Sequence, residues 1–180
     1  VSAASSALGA IVPVPGKFRL IVNFVVFQAG WFACVLGGAH GWPWIGTAIA
    51  AAIVVGHVAS APHPLEEFKL ATVAVLIGAV WDSTLVALGW TAYTSGTVVP
   101  GTAPNWILAL WALFATTLNV SFRWLHGRWL LAAILGAVAG PLSYWAGVRL
   151  GAVRFVEPVS AVIALAAGWA VLMPALLALT

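Results

Sequence analysis

The sequence predicts an all-α polytopic membrane protein, six transmembrane helices arranged as three hairpins. Of its 180 residues 63% are hydrophobic and only 6% charged, and the mean hydropathy is +1.10. A soluble domain carries about 25% charged residues, so an ordinary soluble fold, a disordered chain and a nucleic-acid-binding domain are all excluded. Cutting the chain at Gly, Pro and charge clusters also leaves six apolar stretches close to the ~20 residues that a span requires.

The first stretch runs from Phe18 to Leu36 and stops at Gly37-Gly38. The second opens at Trp42-Pro43-Trp44, with Pro43 suited to a first helical turn, and ends near Ser60 before Pro62 and Pro64. The third spans Glu67 to Trp90, the fourth Asn105 to Phe122, the fifth Arg128 to Val148 and the sixth Pro158 to Ala178. Connections this short make neighbours antiparallel and leave no room for a soluble domain. Residues 1–17 are expected to form a flexible or interfacial lead, because they lack the basic start and small-residue cleavage site of a signal peptide. The single transmembrane domain then covers residues 18–180.

Lys and Arg set the expected orientation, since cytoplasmic flanks retain positive charge. Lys17, Arg19, Lys69, Arg123 and Arg128 fall on one side, and Arg149 and Arg154 on the other. Both termini are therefore predicted cytoplasmic, with Glu157 expected to neutralise Arg154. Trp42, Trp44, Trp90 and Trp106 mark outer ends and Trp124 and Trp129 inner ends, as rings at headgroup level do. Trp31, Trp81, Trp111, Trp145 and Trp169 lie within spans and are expected to fill the core against small residues. The spacings Gly136-x3-Gly140 and Gly147-x3-Gly151 mark the fifth span as the central packing helix, kinked at Pro141. The only cysteine, Cys34, reads as a buried and inert thiol.

Polar side chains at membrane depth need a partner or water, so they are where function is sought. Asp82 lies about 20 Å up the third span and Ser143 about 22 Å up the fifth, at ~1.5 Å per residue. Ser83, Tyr144, Gln28 and Arg149 complete this intramembrane cluster, with an Asp82–Arg149 ion pair as one way to account for both charges. Three uses suit it: a satisfied polar knot, a proton- or cation-coupled transport site, and an enzymatic acid and base. Asn23, His57 and Asn119 form a second level toward the cytoplasm, either lining a shallow pocket or making separate interhelical hydrogen bonds, with Thr116 and Thr117 between the levels. No two of the four histidines share a helix at i, i+4 spacing, so no metal and no cofactor is expected. Glu66 and Glu67 suit the positive end of the third helix.

The runs Asn23-Phe24-x2-Phe27-Gln28-x-Gly30-Trp31-Phe32-x-Cys34-Val35, Trp81-Asp82-Ser83 and Gly140-Pro141-Leu142-x-Tyr144-x2-Gly147-x-Arg149-Leu150-Gly151 resemble an uncharacterised family of bacterial inner-membrane proteins, domain of unknown function 2878. The resemblance covers Arg19 to Ala178. It implies a location in the bacterial cytoplasmic membrane and transfers no activity. Relatives of this kind tend to be encoded beside fatty-acid-modifying enzymes, which implies a lipid-related accessory role.

Minimal loops, small-residue packing faces and the lack of a nucleophile–base pair or metal cage point to a non-enzymatic accessory or ligand-binding protein. Its expected partners are membrane lipids and a membrane-protein partner or a second copy, not nucleic acid. A small transporter or channel using Asp82 is the alternative. A membrane-embedded lipid enzyme with Asp82 and Tyr144 as acid and base is the third reading.

Overall fold

Prolines begin three of the helices, because a first-turn residue needs no N–H partner and the fixed proline φ already suits a helix. The computed structural model describes residues 16–180, and the predicted lead lies almost wholly outside the described residues. Six helices follow in order: α1 (Lys17–Ala39), α2 (Pro43–Ala59), α3 (Pro64–Ala87), α4 (Asn105–Leu118), α5 (Trp129–Arg149) and α6 (Pro158–Leu177). Each falls within a few residues of a predicted stretch. Four of them, α1, α3, α5 and α6, are long and apolar enough to cross a membrane. The other two, of 17 and 14 residues, reach about 26 Å and 21 Å at 1.5 Å per residue, short of a ~30 Å hydrocarbon core.

The shortest helix is the most enclosed. α4 buries Trp106, Ile107, Trp111, Leu113, Ala115, Thr116, Thr117 and Leu118, and packs against α1, α2 and α3. The central role expected of the fifth span therefore belongs to α4. An enclosed helix needs neither a lipid-facing side nor full span length, whereas α5 pairs mainly with α6 and leaves Leu130, Ile134, Val138, Leu142 and Trp145 exposed. α5 also stays helical through Pro141.

Two short strands, which hydropathy patterning does not reveal, join the links that follow α3 and α5. β1 (Thr91–Tyr93) pairs antiparallel with β2 (Val153–Phe155), placing Ala92 opposite Arg154 and Tyr93 opposite Val153. The last turns of α3 and α5 consequently share one end of the bundle. Gly151, at φ +86°, ends α5 in the left-handed region open to glycine, and Gly147 makes room for Val153 of β2. The Gly147-x3-Gly151 spacing thus serves the ribbon rather than a helix–helix contact.

Glycine backs tryptophan throughout the interior. Gly78 of α3 receives the Trp111 ring of α4, Gly168 of α6 receives Trp81 of α3, and Gly140 of α5 receives the Trp169 ring of α6. Gly136 brings the α5 backbone against the backbone of Trp169. Trp106, expected at an interface, is fully buried over Gly38 of α1, while Trp42, Trp44, Trp124 and Trp129 are at least half exposed. Trp145, expected in the core, is 53% exposed. Cys34 is fully buried, and its thiol faces the Gly46 carbonyl at 3.4 Å, where α1 and α2 approach closely.

A Cβ at Gly78 or Gly168 would overlap an indole ring. Gly78→Ala and Gly168→Ala are each expected to cost about 1–3 kcal/mol, as overpacking does. Thermal unfolding in detergent checks this, and an unchanged midpoint would contradict the ring-on-glycine packing.

Candidate functional site

Along α3, Gly78 and Asp82 stand four residues apart and so occupy one face, one turn above the other. The Trp111 indole lies on Gly78, and its Nε1–H donates to Asp82 Oδ2 at 2.7 Å. On α5, Gly140 and Tyr144 repeat the spacing: Gly140 accommodates Trp169, and the Tyr144 hydroxyl donates to Asp82 Oδ1 at 2.6 Å. The Tyr93 hydroxyl, brought in by β1, donates to the same oxygen at 2.8 Å. Asp82 is fully buried, and three donors from α4, α5 and β1 converge on it.

Burying a carboxylate is costly unless donors replace its water, and hydrogen bonds to a charged group are roughly twice as strong as neutral ones. The cage meets both oxygens of Asp82. Both tyrosines of the chain are committed to it. Stacking extends the cage outward, since Trp111 and Trp169 lie 4.9 Å apart at an interplanar angle of 11°. Beside it, Leu85 and Leu165 pack with Tyr144.

The remaining members of the predicted cluster are dispersed. Arg149 does not reach Asp82. Its guanidinium lies 5.7 Å from the centre of the Trp145 ring in the last turn of α5, where a cation is favoured by the helix dipole. Ser83 accepts the Ala103 backbone N–H at 3.0 Å, tying α3 to the segment leading into α4. Arg154 and Glu157 are both exposed and form no ion pair with one another.

The inner-side residues make interhelical bonds in two groups, Asn23 in one and His57 with Asn119 in the other. Asn23 donates to the Thr116 carbonyl at 3.1 Å and accepts from Ser121 at 2.6 Å, joining α1 to α4 and the turn after it. Glu67 lies 3.2 Å from His57 Nε2 and accepts from Asn119 at 3.0 Å, drawing together the ends of α2, α3 and α4. Glu66, in contrast, is exposed and pairs with Lys69 at 3.0 Å. Thr116 and Thr117 bond carbonyls of their own helix, so they do not link the two levels into a polar path. Among the described residues, no three His, Cys, Asp or Glu side chains are grouped to hold a metal.

Sequence reasoning missed Tyr93 and Trp111 as partners of Asp82 and Glu67 as the bridge between His57 and Asn119. One signal was available: the chain has only two tyrosines, and a lone intramembrane acid needs donors from a short supply. Nothing in the sequence places the Thr91–Tyr93 segment over α3.

Ser143 and Gln28 belong instead to a cleft between α1 and the α5–α6 hairpin. Trp31 Nε1–H of α1 donates to Ser143 Oγ of α5 at 3.1 Å, bridging the gap. On one side lies a cavity of about 80 Å³ walled by Trp106, Trp111, Tyr144 and Val153. On the other is a larger cavity of about 550 Å³, lined by Gln28, Phe32, Phe122, Leu135, Ala139 and Met173 among others. Phe27, Trp31, Phe114, Ser143 and Trp169 line both.

Fold and site together define an all-helical, membrane-type protein with a caged interior carboxylate and an aromatic cleft at its side. Residues 20–175 match the family described as "Protein of unknown function (DUF2878)", and the chain belongs to that family. No curated protein and no solved structure matches it.

Removing either oxygen of the cage leaves a donor unmet, at about 1–3 kcal/mol for a buried group. Asp82→Asn, which turns one acceptor into a donor, is expected to lower the unfolding midpoint in detergent more than Tyr93→Phe, which leaves Asp82 two donors. Equal midpoints for wild type and Asp82→Asn would exclude a structural role for the cage.

Proposed function

We propose that this is a six-span protein of the bacterial cytoplasmic membrane, built as three hairpins with both termini cytoplasmic, which binds an apolar ligand or lipid without chemical turnover. In this reading it acts as an accessory protein in membrane-lipid modification or as a small subunit of a membrane complex. The observation that carries the reading is the cleft between α1 and α5. Its larger cavity, at about 550 Å³, falls within the range usual for small-molecule sites, and its walls are aromatic and aliphatic.

The cleft sits between two helices long enough to cross a bilayer, so its mouth would face lipid rather than water. The pairing of β1 with β2, together with the Glu67 bonds at the opposite end, supports an alternating up-and-down course for the helices. Lys17, Arg19, Lys69, Arg123 and Arg128 then share the cytoplasmic end. Asp82, caged by three donors, is better suited to holding α3, α4, α5 and the ribbon together than to exchanging protons, which favours binding over transport or acid–base catalysis.

Two measurements test this proposal. Extraction in native-lipid nanodiscs is expected to retain an apolar molecule in about equimolar amount and enriched over bulk membrane; Ala139→Phe, at an exposed position lining the cleft, is expected to lose it with no change in unfolding midpoint. A retained lipid profile identical to the bulk membrane in both proteins would overturn the binding role. For topology, a carboxyl-terminal fluorescent-protein fusion is expected to be fluorescent and the corresponding alkaline phosphatase fusion inactive; the reverse pattern would invert the orientation.

A further inference from the structure

Gln28 is the twelfth residue of the 23 in α1, about 17 Å from the helix start at 1.5 Å per residue. That is close to the middle of a ~30 Å hydrocarbon core. Its side chain lines the larger cavity and, among the described residues, makes no hydrogen bond. An amide left unpaired in an apolar medium costs several kcal/mol by transfer from water, so a glutamine at this depth calls for a polar partner. One turn further along α1, the Trp31 indole occupies an acceptor site on Ser143 Oγ. Unlike Thr47, Thr72 and Thr84, each of which donates to the carbonyl four residues earlier, Ser143 donates to no described group. The cleft therefore presents uncommitted donors from facing helices, the Gln28 amide and the Ser143 hydroxyl, while the Nε1–H of Trp169 in its wall is buried and also without a partner.

Their depth restricts the ligand. A phosphate or ammonium headgroup would be costly at the bilayer centre, and ester carbonyls of bilayer lipids lie near the interface rather than the midplane. A neutral, weakly polar acceptor is compatible with this depth. The walls add a shape requirement, because Phe27, Trp31, Phe114 and Trp169 offer aromatic faces and edges to a flat ring. The enclosure is otherwise aliphatic toward Leu135 and Met173, where an alkyl or isoprenoid tail can lie.

We propose that the cleft binds a neutral lipid whose flat ring bears ketone carbonyls, of the isoprenoid-quinone class, with Gln28 Nε2 and Ser143 Oγ as donors to those carbonyls. This deepens the apolar-ligand reading above and rests on it. No electron transfer is involved in the binding step.

The test uses the full chain in phosphatidylcholine nanodiscs, titrated with decyl-ubiquinone and, in parallel, with decylbenzene, which has the ring and tail but no carbonyl. Wild type is expected to bind decyl-ubiquinone saturably, and Gln28→Leu to bind it about tenfold more weakly, with Ser143→Ala weakened in the same direction. Decylbenzene is expected to bind wild type and Gln28→Leu alike. Gln28→Met serves as a second variant, and only variants with a wild-type unfolding midpoint are compared. Absence of saturable decyl-ubiquinone binding, equal affinity in wild type and Gln28→Leu, or decylbenzene binding as tightly as the quinone would each overturn the proposal. The two readings fail separately: a native lipid lost in Ala139→Phe but not displaced by decyl-ubiquinone would retain the binding role and reject the quinone class.

Discussion

A carboxylate in a membrane interior needs enough donors to replace its water, and those donors have to come from whichever helices can reach it. Asp82 recruits three, one each from α4, α5 and β1. Four elements are thereby fixed about a single side chain. The neighbouring architecture follows from this: Trp111 reaches the carboxylate only because Gly78, one turn below, leaves a bed for its ring, and Tyr144 reaches it beside Gly140, which leaves a bed for Trp169. Without a strong hydrophobic force between helices in lipid, such close packing and interhelical hydrogen bonding become the principal means of association. Asp82 and the glycine–tryptophan contacts supply both at one place.

The helices were legible because their boundaries are chemical. Pro43, Pro64 and Pro158 start helices, charge clusters interrupt hydropathy, and all six predicted stretches coincide with observed helices to within a few residues. Asp82 and Ser143 stood out as polar residues at matching depth, yet it is Tyr144, the next residue along α5, that meets Asp82, while Ser143 meets Trp31. What could not be read was the arrangement of one helix about another. Hydropathy assigns depth along a helix but not the direction in which a residue faces, so Ser83, Tyr144 and Arg149 were indistinguishable before the fold was known. Arg149 turned out to lie on Trp145 at the helix end, and Ser83 to hold the segment before α4. Tyr93 was invisible for another reason: its position depends on two three-residue strands, too short to leave a pattern in the sequence.

The cleft follows from the same arrangement. α1, α2 and α3 surround α4, whereas the α5–α6 hairpin is attached through the ribbon, the Asp82 cage and the contacts made by Trp81, Trp111 and Trp169. These attachments concentrate on the α3 and α4 side. The opposite edge of α5 meets α1 across a gap bridged by the Trp31–Ser143 hydrogen bond. A hairpin secured along one edge leaves the other edge free to border a cavity, and the 550 Å³ volume lies along that edge. The rigid knot and the open cleft are therefore two sides of one packing solution.

This division also explains the different fates of the polar residues. Around the last turn of α4, polar side chains pair with one another across helices: Asn23 bonds Thr116 and Ser121, and Glu67 meets His57 and Asn119. Those side chains are engaged in holding helices together. Gln28 is on the same helix as Asn23 but five residues on, a rotation of about 140° at 3.6 residues per turn, which turns it from α4 toward the cleft. The glutamine consequently differs from its neighbour in what surrounds it rather than in what it is. An amide on the packed side joins helices, while the same chemistry on the cleft side has no partner among the described residues.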